Sequence, residues 1–295
     1  MKPKPFQNSE LILNEDGSIY HLHLKPEDIA TTIITVGDPN RVSDVTNHFD
    51  TIEFTVHKRE FKTQTGTYKG KRLTVISTGI GTDNIDIVFN ELDALVNIDL
   101  QARTVKKEFT QLSFIRIGTS GATQSEIPID SFIVSEKAIG FDSLLHFYKN
   151  TDFLDTLFSE AFVKTTGWSQ NRSVPYVVSA DETLLNVFDS EEYLKGITAT
   201  NVGFYGPQGR KLRLALQDDE MNEKLQRFQY NKKRITNLEM ETSGIYGMAR
   251  LLGHRALSLN AILANRANGT FSKKPKETIE KLIFKTLELL VHEKI

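Results

Sequence analysis

The chain of 295 residues is 39% hydrophobic and 25% charged, the balance of a soluble protein able to bury a substantial core. Its formal net charge of -2 gives no general attraction for nucleic acid or an anionic membrane, so an anion site has to be assembled locally from converging arginines. There is no cysteine, which excludes disulfides, thiolate metal sites and a cysteine nucleophile, and no apolar run approaches the length of a membrane span.

The opening stretch from Met1 to Asn8 lacks an apolar signal core, and residues 1–18 are expected to form a flexible lead-in to one domain over 19–295, in a cytoplasmic protein. Ile19 to Leu24 alternates and predicts a short extended segment with His21 and His23 on one face. Thr31 to Val36 is β-branched and predicts a buried strand, ended by Gly37-Asp-Pro-Asn-Arg41 and followed by a helix through His48. A helix N-terminus at a strand's carboxyl end favours an anion, whereas Arg41 opposes the macrodipole there; either an anion or solvent must resolve that conflict. Ile52 to Val56 and Phe61 to Tyr68 predict paired strands joined at Arg59-Glu60. Leu73 to Ser77 predicts a strand breaking at Thr78-Gly-Ile-Gly81, and Ile85, Val88, Leu92 and Leu95 mark an amphipathic helix over Asn84 to Asn97.

Ser113 to Ile117 is a short apolar run expected to end in a loop at Gly118-Thr-Ser-Gly121. Within it, Arg116 is too costly to bury unpaired and requires either an internal carboxylate or an anionic ligand. Further strands are predicted at Ser131 to Ala138, Pro175 to Val178, Leu212 to Leu216 and Ala256 to Leu263. Helices are predicted at Phe153 to Val163, Met221 to Tyr230, Ser243 to Ala249 and Glu277 to His292. Gly203 to Arg210 is punctuated by glycine and proline and reads as a loop presenting Gln208 and Arg210. Lys232-Lys-Arg234 reads as a solvated corner. At the strand-to-helix junction Thr236 to Glu241, Glu239 fits a helix-dipole partner, and Glu241 fits either that role or a carboxylate gripping two hydroxyls of a sugar. Repeated breaks from strand into glycine-containing loop imply a mostly parallel sheet whose strand ends line one crevice. No G-x-G-x-x-G or P-loop is present.

Four of these segments, in order, resemble motifs of the nucleoside phosphorylase superfamily, and within it the uridine phosphorylases: Gly-Asp-Pro-Asn-Arg from Gly37, Ser-Thr-Gly-Ile-Gly from Ser77, Arg-Ile-Gly-Thr-Ser-Gly from Arg116, and Asn-Leu-Glu-Met-Glu from Asn237. The resemblance spans His21 to Arg266. It implies a single α/β domain around a central mixed, barrel-like β-sheet flanked by helices, and an enzyme that needs no cofactor but uses inorganic phosphate as co-substrate to cleave a nucleoside. Phosphate would be held by Gly37, Arg41, Arg116 and Thr119, with Arg59 reaching in from a neighbouring subunit. Ribose would be held by Glu241, Met240 and Thr119, with His21 also from the neighbour, so the implied assembly is a homo-oligomer, dimeric or hexameric, sharing its sites. Phe204, Gln208, Arg210 and Arg266 would surround a uracil ring, with Arg116, Arg210 and Gln208 carrying the catalysis.

Purine-selective members carry an aspartate in the last-strand region, and Leu259-Asn-Ala-Ile-Leu-Ala-Asn-Arg266 has none. The family also offers a monovalent-cation (potassium) site between subunits at positions matching Glu60, Ile80 and Asn84. Here Thr82-Asp83-Asn84 departs from the small residues or proline of many relatives. Deoxyuridine and thymidine are further candidate substrates, and a purine-type nucleoside phosphorylase, a water-using nucleosidase or a non-catalytic nucleoside-binding protein are the rival readings of the same fold.

Overall fold

The structure is a computed structural model and describes residues 4–292. The chain begins its sheet with β1 (Thr32–Val36), whose residues are all buried, then turns at Gly37 into α1 (Pro39–Thr46). Proline opens α1 where its missing N–H costs nothing, and the Asp38 side chain caps the helix by accepting from the Asn40 N–H at 2.9 Å. A meander follows, β2 (Thr51–Lys58), β3 (Phe61–Tyr68) and β4 (Lys71–Ser77), and then α2 (Thr82–Asn97), which buries Ile85, Val88, Leu92 and Leu95 as predicted. A separate two-stranded ladder of β5 (Ile98–Asp99) and β6 (Thr104–Val105) leads to β7 (Ser113–Ala122) and β8 (Phe132–Gly140). Next come α3 (Thr156–Thr166), β9 (Tyr176–Ser179), α4 (Glu182–Val187), β10 (Tyr193–Thr200), α5 (Met221–Arg227) and β11 (Gln229–Tyr230). The chain closes with β12 (Lys233–Glu239), α6 (Thr242–Leu252), β13 (Arg255–Asn265), β14 (Thr270–Phe271) and α7 (Pro275–His292).

The expected α/β architecture with a mixed, barrel-like sheet is the one observed. The main sheet runs β11-β12-β10-β8-β13-β7-β1-β4-β3-β2, and β12 also pairs with β7. That extra pairing closes β7, β13, β8, β10 and β12 into a ring, with β1 to β4 extending from it as an open arm. β1, β7 and β13 run parallel, so Gly37, the β7 glycines and the end of β13 come to one rim of the ring. The core divides into a large apolar cluster that includes Ile33, Phe89, Phe114 and Leu257 and a second cluster with the aromatic rings of Phe141, Phe158, Phe162 and Phe228. The stripe of α7 faces the core through Leu282, Ile283, Thr286, Leu287 and Leu290, as its spacing predicts. Among the described residues no helix is long and apolar enough to cross a membrane.

Several expectations are corrected. β7 does not break at Gly118 but continues to Ala122, because β13 pairs along that half and β12 pairs at Gly121 and Ala122. Leu212 and Leu214 form no strand and are 73% and 72% exposed; alternation without a neighbouring strand to pair with does not make one. Ile19 to Leu24 is a turn, with His23 at a φ of 55, that sends Leu22 and Leu24 into the core and separates the two histidines. Lys232-Lys-Arg234 is the turn and start of the β11–β12 hairpin, with Lys233 paired to Glu136 at 2.8 Å and Arg234 to Glu126 at 2.6 Å. α3 starts at Thr156 because the Asp155 carboxylate caps it by accepting from the Phe158 N–H at 3.1 Å.

Residues 1–3 of the expected lead-in lie outside the described residues, and residues 4–18 are strapped to the domain. Leu11 is buried, and the Arg103 guanidinium donates to the carbonyls of Phe6 and Gln7, each at 2.8 Å, and of Leu11. Arg103→Ala removes these charge-assisted bonds and is expected to cost about 2 kcal/mol of unfolding free energy in a urea titration. Unchanged stability would mean that this strap holds nothing.

Candidate active site

A cavity of about 740 Å³ opens at the rim where β1, β4, β7 and β12 end, within the usual size range for a small-molecule site. Gly37, Arg41, Arg116, Thr119, Phe204, Gln208, Arg210, Met240 and Glu241 all line it. Residues that the sequence scatters over two hundred positions therefore line one cavity. Arg59, His21 and Arg266 are not part of that lining.

Arg116 is the centre of the arrangement. Its side chain projects inside the ring and is 5% exposed. Nη2 meets Glu241 Oε2 at 2.6 Å and Glu239 Oε2 at 3.1 Å, and Nη1 donates to Asn260 Oδ1 at 3.0 Å. Burial disfavours the charge, and Glu239 and Glu241 more than offset it, holding the guanidinium above its ordinary pKa. The sequence left open whether Arg116 meets a carboxylate or a ligand; within the chain it meets two carboxylates.

The two glutamates differ in what else they do. Glu239 Oε1 accepts from the Thr200 hydroxyl at 2.6 Å, and Oε2 accepts from the backbone N–H groups of Glu241 and Thr242, both at 2.9 Å. It thus caps the N-terminus of α6. Glu241 faces the cavity, with Oε2 on Arg116 and Oε1 accepting from the Gly81 N–H at 2.9 Å. Burial raises its pKa and Arg116 opposes that rise. Each Glu241 oxygen retains acceptor capacity toward the cavity.

A guanidinium can only donate, so it fixes the direction of every hydrogen bond that follows. Asn260 accepts from Arg116 and must donate through Nδ2 to Ser135 Oγ at 3.2 Å. Ser135 then donates to Thr198 Oγ1 at 2.5 Å, Thr198 to Asn237 Oδ1 at 3.0 Å, and Asn237 Nδ2 to Ser120 Oγ at 3.0 Å. The relay crosses β13, β8, β10 and β12 and returns to β7. Its last hydroxyl proton is left to Ser120, which lines the cavity. Sequence reasoning missed Ser120, Asn237 and Asn260. The available signal was Ser258 and Asn260 alternating inside an otherwise apolar strand.

Arg41 provides the uncommitted charge. Among the described residues its guanidinium makes no hydrogen bond or ion pair, and burial together with the nearby Arg116 charge lowers its pKa. Two guanidiniums facing one cavity at the head of α1 form a site for an oxyanion. In the same cavity, Arg210 Nη1 donates to Gln208 Oε1 at 2.5 Å and to the Phe204 carbonyl at 2.6 Å, with its Cζ 3.7 Å from the Phe204 ring centroid. Burial, followed by the charge of Arg266, brings the Arg210 pKa down to about 10. Arg266 Nη2 donates to the Gln208 carbonyl at 3.2 Å, so it braces the loop from behind.

Asn265, near where purine-selective relatives carry an aspartate, is consumed by the chain reversal. Its Nδ2 donates to the carbonyls of Gln124 and Ile127, and its Oδ1 accepts from the N–H groups of Ala267 and Asn268.

Arg59 sits exposed at the β2–β3 turn with a φ of 58, and His21 lies on the surface with Nδ1 2.6 Å from Glu91 Oε1. Glu60, Ile80 and Asn84 gather at Gly79 on the cavity wall. The Glu60 carboxylate and the Asn84 amide make no protein hydrogen bond among the described residues.

The sequence matches the family model described as the Phosphorylase superfamily over residues 31–291. It is 30% identical over 278 residues to a uridine phosphorylase of Thermococcus kodakarensis, covering 91% of this chain and 85% of that protein. It is 26% identical over 277 residues to a DeoD-type purine nucleoside phosphorylase of Colwellia psychrerythraea, covering 91% and 97% of the two chains. Among solved structures, a Trypanosoma brucei nucleoside phosphorylase described as showing uridine phosphorylase activity superimposes with a TM-score of 0.86 at 30% identity, covering 96% of this chain and 100% of that one.

The position of Arg116 depends on Gly118, two residues along β7 on the same face. A Cβ there would lie 1.8 Å from Arg116 Nη1. Gly118→Ala is therefore expected to displace the guanidinium and weaken binding of inorganic phosphate roughly tenfold or more, measured by calorimetry. Native affinity in that variant would remove Arg116 from the anion site.

Proposed function

Because the chain belongs to the phosphorylase superfamily, we propose that it cleaves uridine with inorganic phosphate to give uracil and ribose 1-phosphate. The observation that carries this reading is that Arg41, with no hydrogen-bond or ion-pair partner among the described residues, lines one cavity with the Arg116–Glu241 and Gln208–Arg210 pairs.

In this reading phosphate lies against Gly37, Arg41, Arg116 and Thr119, and the ribose hydroxyls bond to Glu241 with Met240 packed beside the sugar. Gln208 and Arg210 meet the uracil edge, and Phe204 covers the ring. A phosphate oxygen bonds to C1′ as the C1′–N1 bond breaks. The bonding pair leaves with uracil, and the proton of the phosphate monohydrogen dianion ends on the base. Positive character at C1′ is stabilised by the adjacent phosphate, and the charge on departing uracil by Arg210 and Gln208. Positioning and fixed electrostatics supply the acceleration, with no covalent enzyme intermediate.

Charge supports a shared site. The cavity is lined by the guanidiniums of Arg41, Arg116 and Arg210 and by the carboxylates of Asp38, Glu60, Glu239 and Glu241, so one chain offers a phosphate dianion no excess of positive charge. Arg59 of a neighbouring subunit supplies the missing cation, and the neighbour's His21, oriented by Glu91, reaches the ribose 5′ end. The functional unit is then a homo-oligomer, with a potassium ion at Glu60, Ile80 and Asn84 serving a structural role where subunits meet. Both substrates are small, polar and diffusible, in keeping with the cytoplasmic location expected from the sequence.

The test is base release from uridine, thymidine, inosine and adenosine, each with and without phosphate. Phosphate-dependent uracil release with ribose 1-phosphate as co-product is expected. Release without phosphate would make the protein a hydrolase, and cleavage of inosine alone would overturn the roles given to Gln208 and Arg210. Arg210→Ala is expected to lower kcat on uridine by on the order of 100-fold; a near-native rate would dissociate it from leaving-group stabilisation.

A further inference from the structure

The loop 203–210 has two sides. One presents Phe204, Gln208 and Arg210 to the active site, and the other, through Gly206 and Pro207, walls a second cavity of about 430 Å³. The two cavities have no lining residue in common. The second is bounded by Phe141, Trp168, Leu216 and Met221, an apolar and largely aromatic surface suited to a planar ring. Trp168 is held in place by its Nε1–H, which donates to the Ser173 carbonyl at 2.9 Å, and it packs on Phe141 with ring centroids 4.6 Å apart.

Two polar groups in this wall are unsatisfied by the protein. Asn201 is 2% exposed; its Nδ2 donates to the carbonyls of Ala199 and Glu239, at 3.2 and 3.4 Å, which fixes the orientation of the amide. Its Oδ1 is buried with no hydrogen-bond partner, a cost of the kind that a ligand's donor removes. The Arg172 guanidinium lies 4.9 Å from the Trp168 ring centroid and makes no ion pair or hydrogen bond among the described residues. The Asp218 carboxylate, also in the wall, is neutralised instead by Lys224 at 2.9 Å.

We propose that this cavity is a second ligand site, for a planar aromatic acid bearing a hydroxyl or N–H donor, and that filling it acts on the base-binding loop. The ring takes the Phe141, Trp168 and Met221 surface, the donor satisfies Asn201 Oδ1, and the acid pairs with Arg172. The route to the active site is short. The Asn201 N–H donates to the Glu239 carbonyl at 2.8 Å, and Glu239 holds both Arg116 and the head of α6. On the other side, Gly206 and Pro207 precede Gln208 in a single 3-10 turn.

Trp168 is the chain's one tryptophan, so its emission reports on this cavity alone. Titration of the native protein with 3- and 4-hydroxybenzoate is expected to give a saturable change in emission that persists with phosphate, or with uridine in the absence of phosphate. Benzoate, which lacks the donor, and 4-hydroxybenzyl alcohol, which lacks the acid, are expected to bind roughly tenfold more weakly, as is hydroxybenzoate to Arg172→Gln. That variant retains native turnover without the acid, and in the native protein the acid shifts the KM for uridine roughly fivefold or more. The proposal is overturned by the absence of a saturable change with either hydroxybenzoate, by complete displacement of the acid by uridine or phosphate, by undiminished binding to Arg172→Gln, or by binding that leaves KM unmoved. The fluorescence titration stands whether or not uridine is the substrate.

Discussion

A guanidinium inside a closed barrel has to be neutralised and hydrogen-bonded from every side, and much of this structure follows from meeting that requirement for Arg116. Its charge is met by Glu239 and Glu241, and its remaining donor capacity is passed through Asn260, Ser135, Thr198 and Asn237 to Ser120. Because arginine only donates, the polarity of the relay is set at its origin and the far end delivers a hydroxyl proton to the cavity. Removing one partner of such a buried pair costs about 3–5 kcal/mol, far more than the pair contributes over an apolar replacement. The ring is therefore better understood as a device that holds one charged group in one orientation than as a source of stability.

The same accounting explains how the site works as a whole. Arg116 enters any encounter with an anion already shared with two carboxylates, so the unpaired charge comes from Arg41. Acidic groups outnumber guanidiniums around the cavity, four to three, which is why the proposed function draws a further cation, Arg59, from a neighbouring subunit. Glu239 and Glu241, two positions apart, divide the labour: one is spent on capping α6 and the other keeps its lone pairs for a ligand.

Much of this was legible in the sequence, and the reasons for the failures are physical. Arg116 and Arg41 stood out because each was chemically out of place in its local context, an arginine in an apolar run and one at a helix head, whereas the roles expected of Glu241, Gln208 and Arg210 came from the family resemblance. Strands and helices with a clear period, such as α2 and α7, were legible as well. The continuation of β7 past Gly118 was hidden, since glycines that look like a loop in one dimension here make room for a side chain folded back along the strand. The relay residues were hidden too. Beyond the alternation of Ser258 and Asn260 in β13, serine, threonine and asparagine in separate strands carry no local signal, and only closure of the ring brings them together. The loop leucines near 212–216 misled because alternation cannot reveal whether a partner strand exists.

The measurement that bears most directly on this account is inorganic phosphate binding to Arg116→Lys compared with the native protein. Lysine keeps the positive charge but cannot reproduce the planar fork that bonds Asn260 and both glutamates while facing the cavity. If the oriented guanidinium is what matters, the lysine protein binds phosphate roughly tenfold more weakly or worse, with its overall fold retained. Native phosphate affinity in Arg116→Lys would show that charge alone suffices, and would contradict a barrel interior organised to orient Arg116.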